Sequence, residues 1–119
     1  MTCLLGLVPA VAEAHAKLTR AAPVAGSTVT QSPERIVLEF SESVEAEFSR
    51  VSVVDADGRE MTKGKLELVP GRKDAMAVAL LPLLPGPYKV MWRMVSTDTH
   101  VTKGSYTFNV VAAPSGQGR

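Results

Sequence analysis

Tyr88, Val90, Trp92 and Met94 place large apolar groups at every second residue of Tyr88-Lys89-Val90-Met91-Trp92-Arg93-Met94, with Lys89 and Arg93 between them. That period belongs to a half-buried strand and cannot line one face of a helix. The same alternation recurs in Arg35-Ile36-Val37-Leu38-Glu39-Phe40, in Arg50 to Val54, in Ala75 to Leu80 with Met76, Val78 and Leu80 inward, and in Gly104 to Val111 with Tyr106, Phe108 and Val110 inward. Lys65 to Val69 reads as a further strand. Turn chemistry separates these runs: Pro23 and Gly26, Asp57-Gly58, Pro70-Gly71, and the Pro82, Pro85, Gly86, Pro87 loop that no helix could cross. Ser41 to Phe48 has room for one helical turn. Six or seven short strands with no sustained helical period predict a single all-β domain, an antiparallel β-sandwich.

The strand Tyr88–Met94 runs into Ser96-Thr97-Asp98-Thr99-His100. If the chain stays extended there, Asp98 and His100 project from the same side with roots roughly 7 Å apart, close enough for one small ion to touch both. The other histidine, His15, follows Ala12-Glu13-Ala14, which has the small-x-small form of a signal-peptidase site. Met1 to Ala14 is apolar through Leu4, Leu5, Leu7 and Val8 and too short to span a bilayer, so it reads as a secretory leader. No Lys or Arg precedes the apolar run, which fits a leader whose start lies upstream of Met1. Cleavage after Ala14 makes His15 the first residue, with its amine and imidazole forming a chelate. Together with Asp98 and His100 this gives three nitrogens and one oxygen, a set that best suits Cu(II) in a tetragonal site. Ala14-His15-Ala16 is also small-x-small, and cleavage there would start the chain at Lys17 and remove the chelate.

The sole cysteine, Cys3, lies in the leader, so the mature domain holds itself together by packing alone. A formal charge of +1 argues against nucleic acid or an anionic membrane surface as the main partner. Nothing after the leader reads as a membrane span.

His15 behind its cleavage pattern, Ala22-Pro23-Val24-Ala25-Gly26-Ser27, Leu38-Glu39-Phe40-Ser41-Glu42, Gly86 through His100, and Gly104-Ser105-Tyr106-Thr107-Phe108 occur in the order found in the CopC family of periplasmic copper-binding proteins, which the chain resembles throughout its mature length. The resemblance implies an immunoglobulin-like Greek-key sandwich of about seven strands. It also implies one Cu(II) per chain held by a histidine brace, made here of the His15 amine and imidazole and the His100 imidazole, with Asp98 as oxygen ligand and Glu42 in the surrounding shell. Some members add a Cu(I) site built from clustered methionines. Met61, Met76, Met91 and Met94 are scattered, which predicts a Cu(II)-only protein.

The expected organisation is a leader at 1–14, a sandwich at 15–111 and a loose tail at 112–119, in a monomer acting in the periplasm or cell envelope. The expected function is non-catalytic: a copper carrier or buffer for tolerance or delivery, whose partners are the ion and an inner-membrane transporter of the CopD type or a periplasmic cuproenzyme. Two alternatives come from other classes. A brace is also the centre of copper oxidases of the polysaccharide monooxygenase type, but these aromatics fall mostly at inward positions and leave little for a flat sugar-binding face. A metal-free adhesion or assembly sandwich is the other.

Overall fold

In a computed structural model, residues 17–113 are described. Eight strands run β1 Leu18–Ala22, β2 Thr28–Val29, β3 Arg35–Phe40, β4 Arg50–Val54, β5 Thr62–Leu68, β6 Ala75–Leu80, β7 Gly86–Val95 and β8 Val101–Val110. A single 3₁₀ turn, Ala46–Phe48, falls in the segment where the sequence leaves room for one. The strands form two four-stranded sheets, ordered β1-β3-β6-β5 and β2-β8-β7-β4. Every strand pair is antiparallel except β2 with β8. The expected all-β sandwich is the fold observed.

The inward positions predicted by alternation are the ones that fill the space between the sheets. Ile36, Leu38 and Phe40 of β3 and Met76, Val78 and Leu80 of β6 meet Val53 of β4, Tyr88, Val90 and Met94 of β7, and Phe108 and Val110 of β8. All are buried, and none carries a charge. Removing this apolar area from water is the main term holding the sheets together.

Trp92 is also on the inner side, half-buried, edge-on to Phe40 with ring centroids 6.2 Å apart and 6.4 Å from Tyr106. Its ring lies over Gly104, its cross-strand partner; a Cβ there would sit 2.2 Å from an indole carbon, so only glycine fits. Three residue pairs further along, the hairpin ends in the loop where the candidate site lies.

Candidate metal-binding site

β7 and β8 pair without a break from Gly86↔Val110 to Val95↔Val101. The loop between them reverses direction over Ser96 to His100. Thr99 N–H donates to the Ser96 carbonyl at 2.8 Å, closing a β-turn, and Ser96 N–H donates to the His100 carbonyl at 2.9 Å. Thr99 stands at φ +71°. This is a type I turn followed by a left-handed residue, a common three-residue hairpin loop in which glycine is the usual occupant of the last position. A β-branched residue there is strained. The Thr99 hydroxyl donates to the carbonyl of Asp98, a local contact that helps hold the conformation.

The extended path past Met94 therefore stops at the hairpin loop, and the chain turns back. The turn keeps the two predicted donors together. Asp98 Oδ1 lies 3.2 Å from His100 Nδ1, with both side chains about half exposed. Metal–donor bonds of about 2.0–2.1 Å at right angles put two donors about 2.9 Å apart, so this pair is spaced nearly as two neighbouring ligands of one ion.

Ser96 is the residue that sequence reasoning passed over. It is buried at 1% exposure, and its hydroxyl donates to Asp98 Oδ1 while accepting from His100 N–H at 3.2 Å. That hydroxyl is the chief reason the Asp98 carboxyl is held below its ordinary range; desolvation acts the other way, and the backbone N–H and imidazole of His100 add to the lowering. The available signal was the preference for Ser at the first position of a turn.

The loop is braced from outside by the segment after β3. Thr97 N–H donates to the Ser43 carbonyl at 3.1 Å, and Val44 bridges Ser96. Two residues earlier, Ser41 N–H donates to the Lys17 carbonyl and Lys17 N–H to Ser41 Oγ, each at 2.9 Å. The segment Ser41 to Val44 thus joins the entry of the described chain to the Asp98/His100 loop. Glu42 is half-buried between these two anchor points. Among the described residues it does not complete a three-donor group with Asp98 and His100. His15 lies outside the described residues.

Met76 and Met94 are sealed in the core, and Met61 and Met91 are half-buried. Among the described residues Phe48 is the one strongly exposed aromatic, at 64%. The alternation rules gave no signal for it, because it sits on the 3₁₀ turn and not on a strand. No described helix is long and apolar enough to cross a membrane.

The CopC domain profile matches residues 18–111. Protein YobA of Escherichia coli K12 is 39% identical over 98 residues, covering 82% of this chain and 79% of that protein. Copper resistance protein C of Pseudomonas syringae pv. tomato is 38% identical over 110 residues, covering 87% of this chain and 86% of its own. Among solved structures, PcoC, a methionine-rich copper resistance protein from Escherichia coli, superposes with a TM-score of 0.71 at 35% identity, over 82% of this chain and all of PcoC.

Proposed function

This chain belongs to the CopC family, and from that premise we propose that it is a Cu(II)-binding carrier or buffer of the periplasm, serving copper tolerance or delivery. The observation that carries the reading is the hairpin loop that holds an exposed imidazole and carboxylate 3.2 Å apart. Neutral imidazole and carboxylate oxygen are donors that Cu(II) accepts in a tetragonal site, and a pair so spaced needs only further nitrogen donors to complete one. His15 would supply two of them, its α-amine and its imidazole, once a leader at 1–14 is removed. The hydrogen bonds of Lys17 to Ser41 support this, because they leave one residue, Ala16, and at most about 7 Å of extended chain between that anchor and His15. Asp98 would be the oxygen ligand, and Glu42 a neighbouring charge near the N-terminal side of the site.

The carrier reading takes one Cu(II) per monomeric chain and passes it to an inner-membrane transporter of the CopD type or to a cuproenzyme. Two of the methionines buried in the core cannot reach an ion at the surface, which favours Cu(II) over Cu(I). Burial of Phe40, Tyr88 and Phe108, with Trp92 and Tyr106 half-buried, favours a carrier over an oxidase that grips a sugar chain.

Intact-mass analysis of the secreted protein, with and without added Cu(II), tests the reading in one measurement. The expected species begins at His15 and gains one copper. A chain that begins at Lys17, or gains no copper, refutes it.

A further inference from the structure

Arg50 of β4 is directly opposite Arg93 of β7, and Arg93 is directly opposite Lys103 of β8. Cross-strand partners point to the same face, so three cations form one row across three neighbouring strands, all exposed on the outer face of the sheet. Like charges directly opposed destabilise a sheet. Three other arginines are paired: Arg20 lies against Glu39, Arg59 against Asp55 and Asp57, and Arg72 against Glu39 and Asp74. Among the described residues no carboxylate pairs with Arg50, Arg93 or Lys103.

The row lies close to the hairpin loop. Two residues further along β7 and back along β8, about 7 Å away, Val95 and Val101 face one another on the same outer side, and Val101 is 41% exposed. Beyond the end of β4 the 3₁₀ turn takes over the sheet edge, with Glu45 N–H donating to the Val95 carbonyl and Val95 N–H to Ser49 Oγ. Phe48 stands there, its carbonyl accepting a long bond from Arg93 Nη1. The surface therefore combines an exposed aromatic, an exposed aliphatic and two arginines, the residue types that anchor protein interfaces.

We propose that this face docks an acidic, partly apolar segment of the protein that exchanges the ion held at the adjacent loop. Charge complementarity selects an acidic occupant, and Phe48 and Val101 select one with apolar side chains among its carboxylates. The row is only about 10 Å long, two strand spacings, which suits a short peptide segment. The exchange role rests on the copper reading above; the docking surface does not.

The test uses the full chain and a fluorescein-labelled peptide that alternates Asp and Glu with Leu and Phe, against the same peptide with Asn and Gln in place of the acids. Anisotropy should show binding of the acidic peptide only, weakening as salt rises toward about 1 M, where the screening length falls to about 3 Å. The triple variant Arg50→Gln, Arg93→Gln, Lys103→Gln should bind it about tenfold more weakly or worse, because each removes one complementary charge. Arg93→Gln alone, with a melting curve like the parent's, should show an intermediate loss. Affinity that is indifferent to salt, or unchanged in these variants, overturns the proposal. So does binding to phosphatidylglycerol vesicles through the row without binding to the peptide. Cu(II) titration of the parent and triple variant should give the same stoichiometry and affinity. A chain that takes no Cu(II) yet binds the peptide through the row supports the docking surface and overturns only the copper reading.

Discussion

Replacing Ser96 by alanine isolates what the loop contributes to the site. The hydroxyl is buried and touches both donor residues, the Asp98 carboxylate and the His100 backbone N–H. Alanine fits the same space, so the backbone of the turn, held by Thr99 N–H and Ser96 N–H, has no reason to change. Losing the bonds of one buried hydroxyl costs about 1 kcal/mol, which lowers the melting temperature by about 4–8 °C for a domain of this size. Groups that orient a ligand typically change metal affinity by about 10–100-fold, and the low end applies here because Asp98 keeps weaker contacts to the N–H and ring of His100. Cu(II) affinity should therefore fall about tenfold, read by competition with a chelator of known strength. Ser49→Ala is the control. Ser49 Oγ also joins two backbone groups, accepting from Val95 N–H at 2.9 Å and donating to the Glu45 carbonyl at 2.8 Å, but it touches neither donor. It should cost similar stability and leave Cu(II) affinity nearly unchanged. Parent-like affinity in Ser96→Ala, or an equal loss in Ser49→Ala, would refute the positioning argument.

One extra residue before His15 converts the α-amine to an amide while leaving both imidazoles and Asp98 in place; Cu(II) affinity should drop by orders of magnitude in competition titrations while the apo melting curve stays put. His100→Ala should be as damaging in the same titration, and Asp98→Asn milder, since it keeps an oxygen and loses the charge; equal losses would show that the carboxylate charge dominates. Glu60→Gln tests stability far from the loop. Burial alone would raise the Glu60 pKa, but bonds from Ser52 Oγ, Thr62 Oγ1 and Val53 N–H outweigh it and hold the carboxyl below its usual value of 4.5. A depressed folded-state pKa gives stability that is present above the unfolded value and lost as pH falls through the folded one. The variant should be less stable by about 1 kcal/mol near neutral pH, after discounting for partial exposure, and the gap between the two melting curves should narrow as pH falls below the usual value of 4.5.

The strands that carry the core were legible because their alternation is strong and two-sided packing enforces it. β3, β6, β7 and β8 follow it residue by residue. β1 was not legible: Leu18 to Ala22 is an edge strand with two partly covered residues, so its pairing to β3 leaves little trace in hydropathy. β2 is two residues long. β5 begins at Thr62, three residues before its apolar pattern, because an irregularity between Lys63 and Glu67 breaks the period. At the site, residue types pointed to Asp98 and His100, but their spacing was estimated for an extended chain. The turn depends on Thr99 adopting a left-handed backbone, a conformation for which threonine gives no propensity signal.

The β7–β8 hairpin also has a bearing on how the molecule assembles in time. Its two ten-residue strands are joined by the site's own loop, so the ladder can zip outward from Val95↔Val101, six residues apart, to Gly86↔Val110, 24 apart. Isolated hairpins close in about 1–10 μs, whereas β1 and β3 have no pair closer than Ala22↔Val37, 15 residues apart, and Lys17 and Ser41 lie 24 apart. Asp98 and His100 are thus brought together by one of the shortest-range closures in the described chain, and the N-terminal anchor by a longer-range one. Pulse-labelled amide exchange during refolding should find Ser96 and Thr99 protected before Leu18 and Ser41; the reverse order would show that the hairpin depends on the sandwich. With that order, a half-formed molecule presents Asp98 and His100 together before Lys17 is anchored, and the proposed copper site is completed only once β1 has paired with β3.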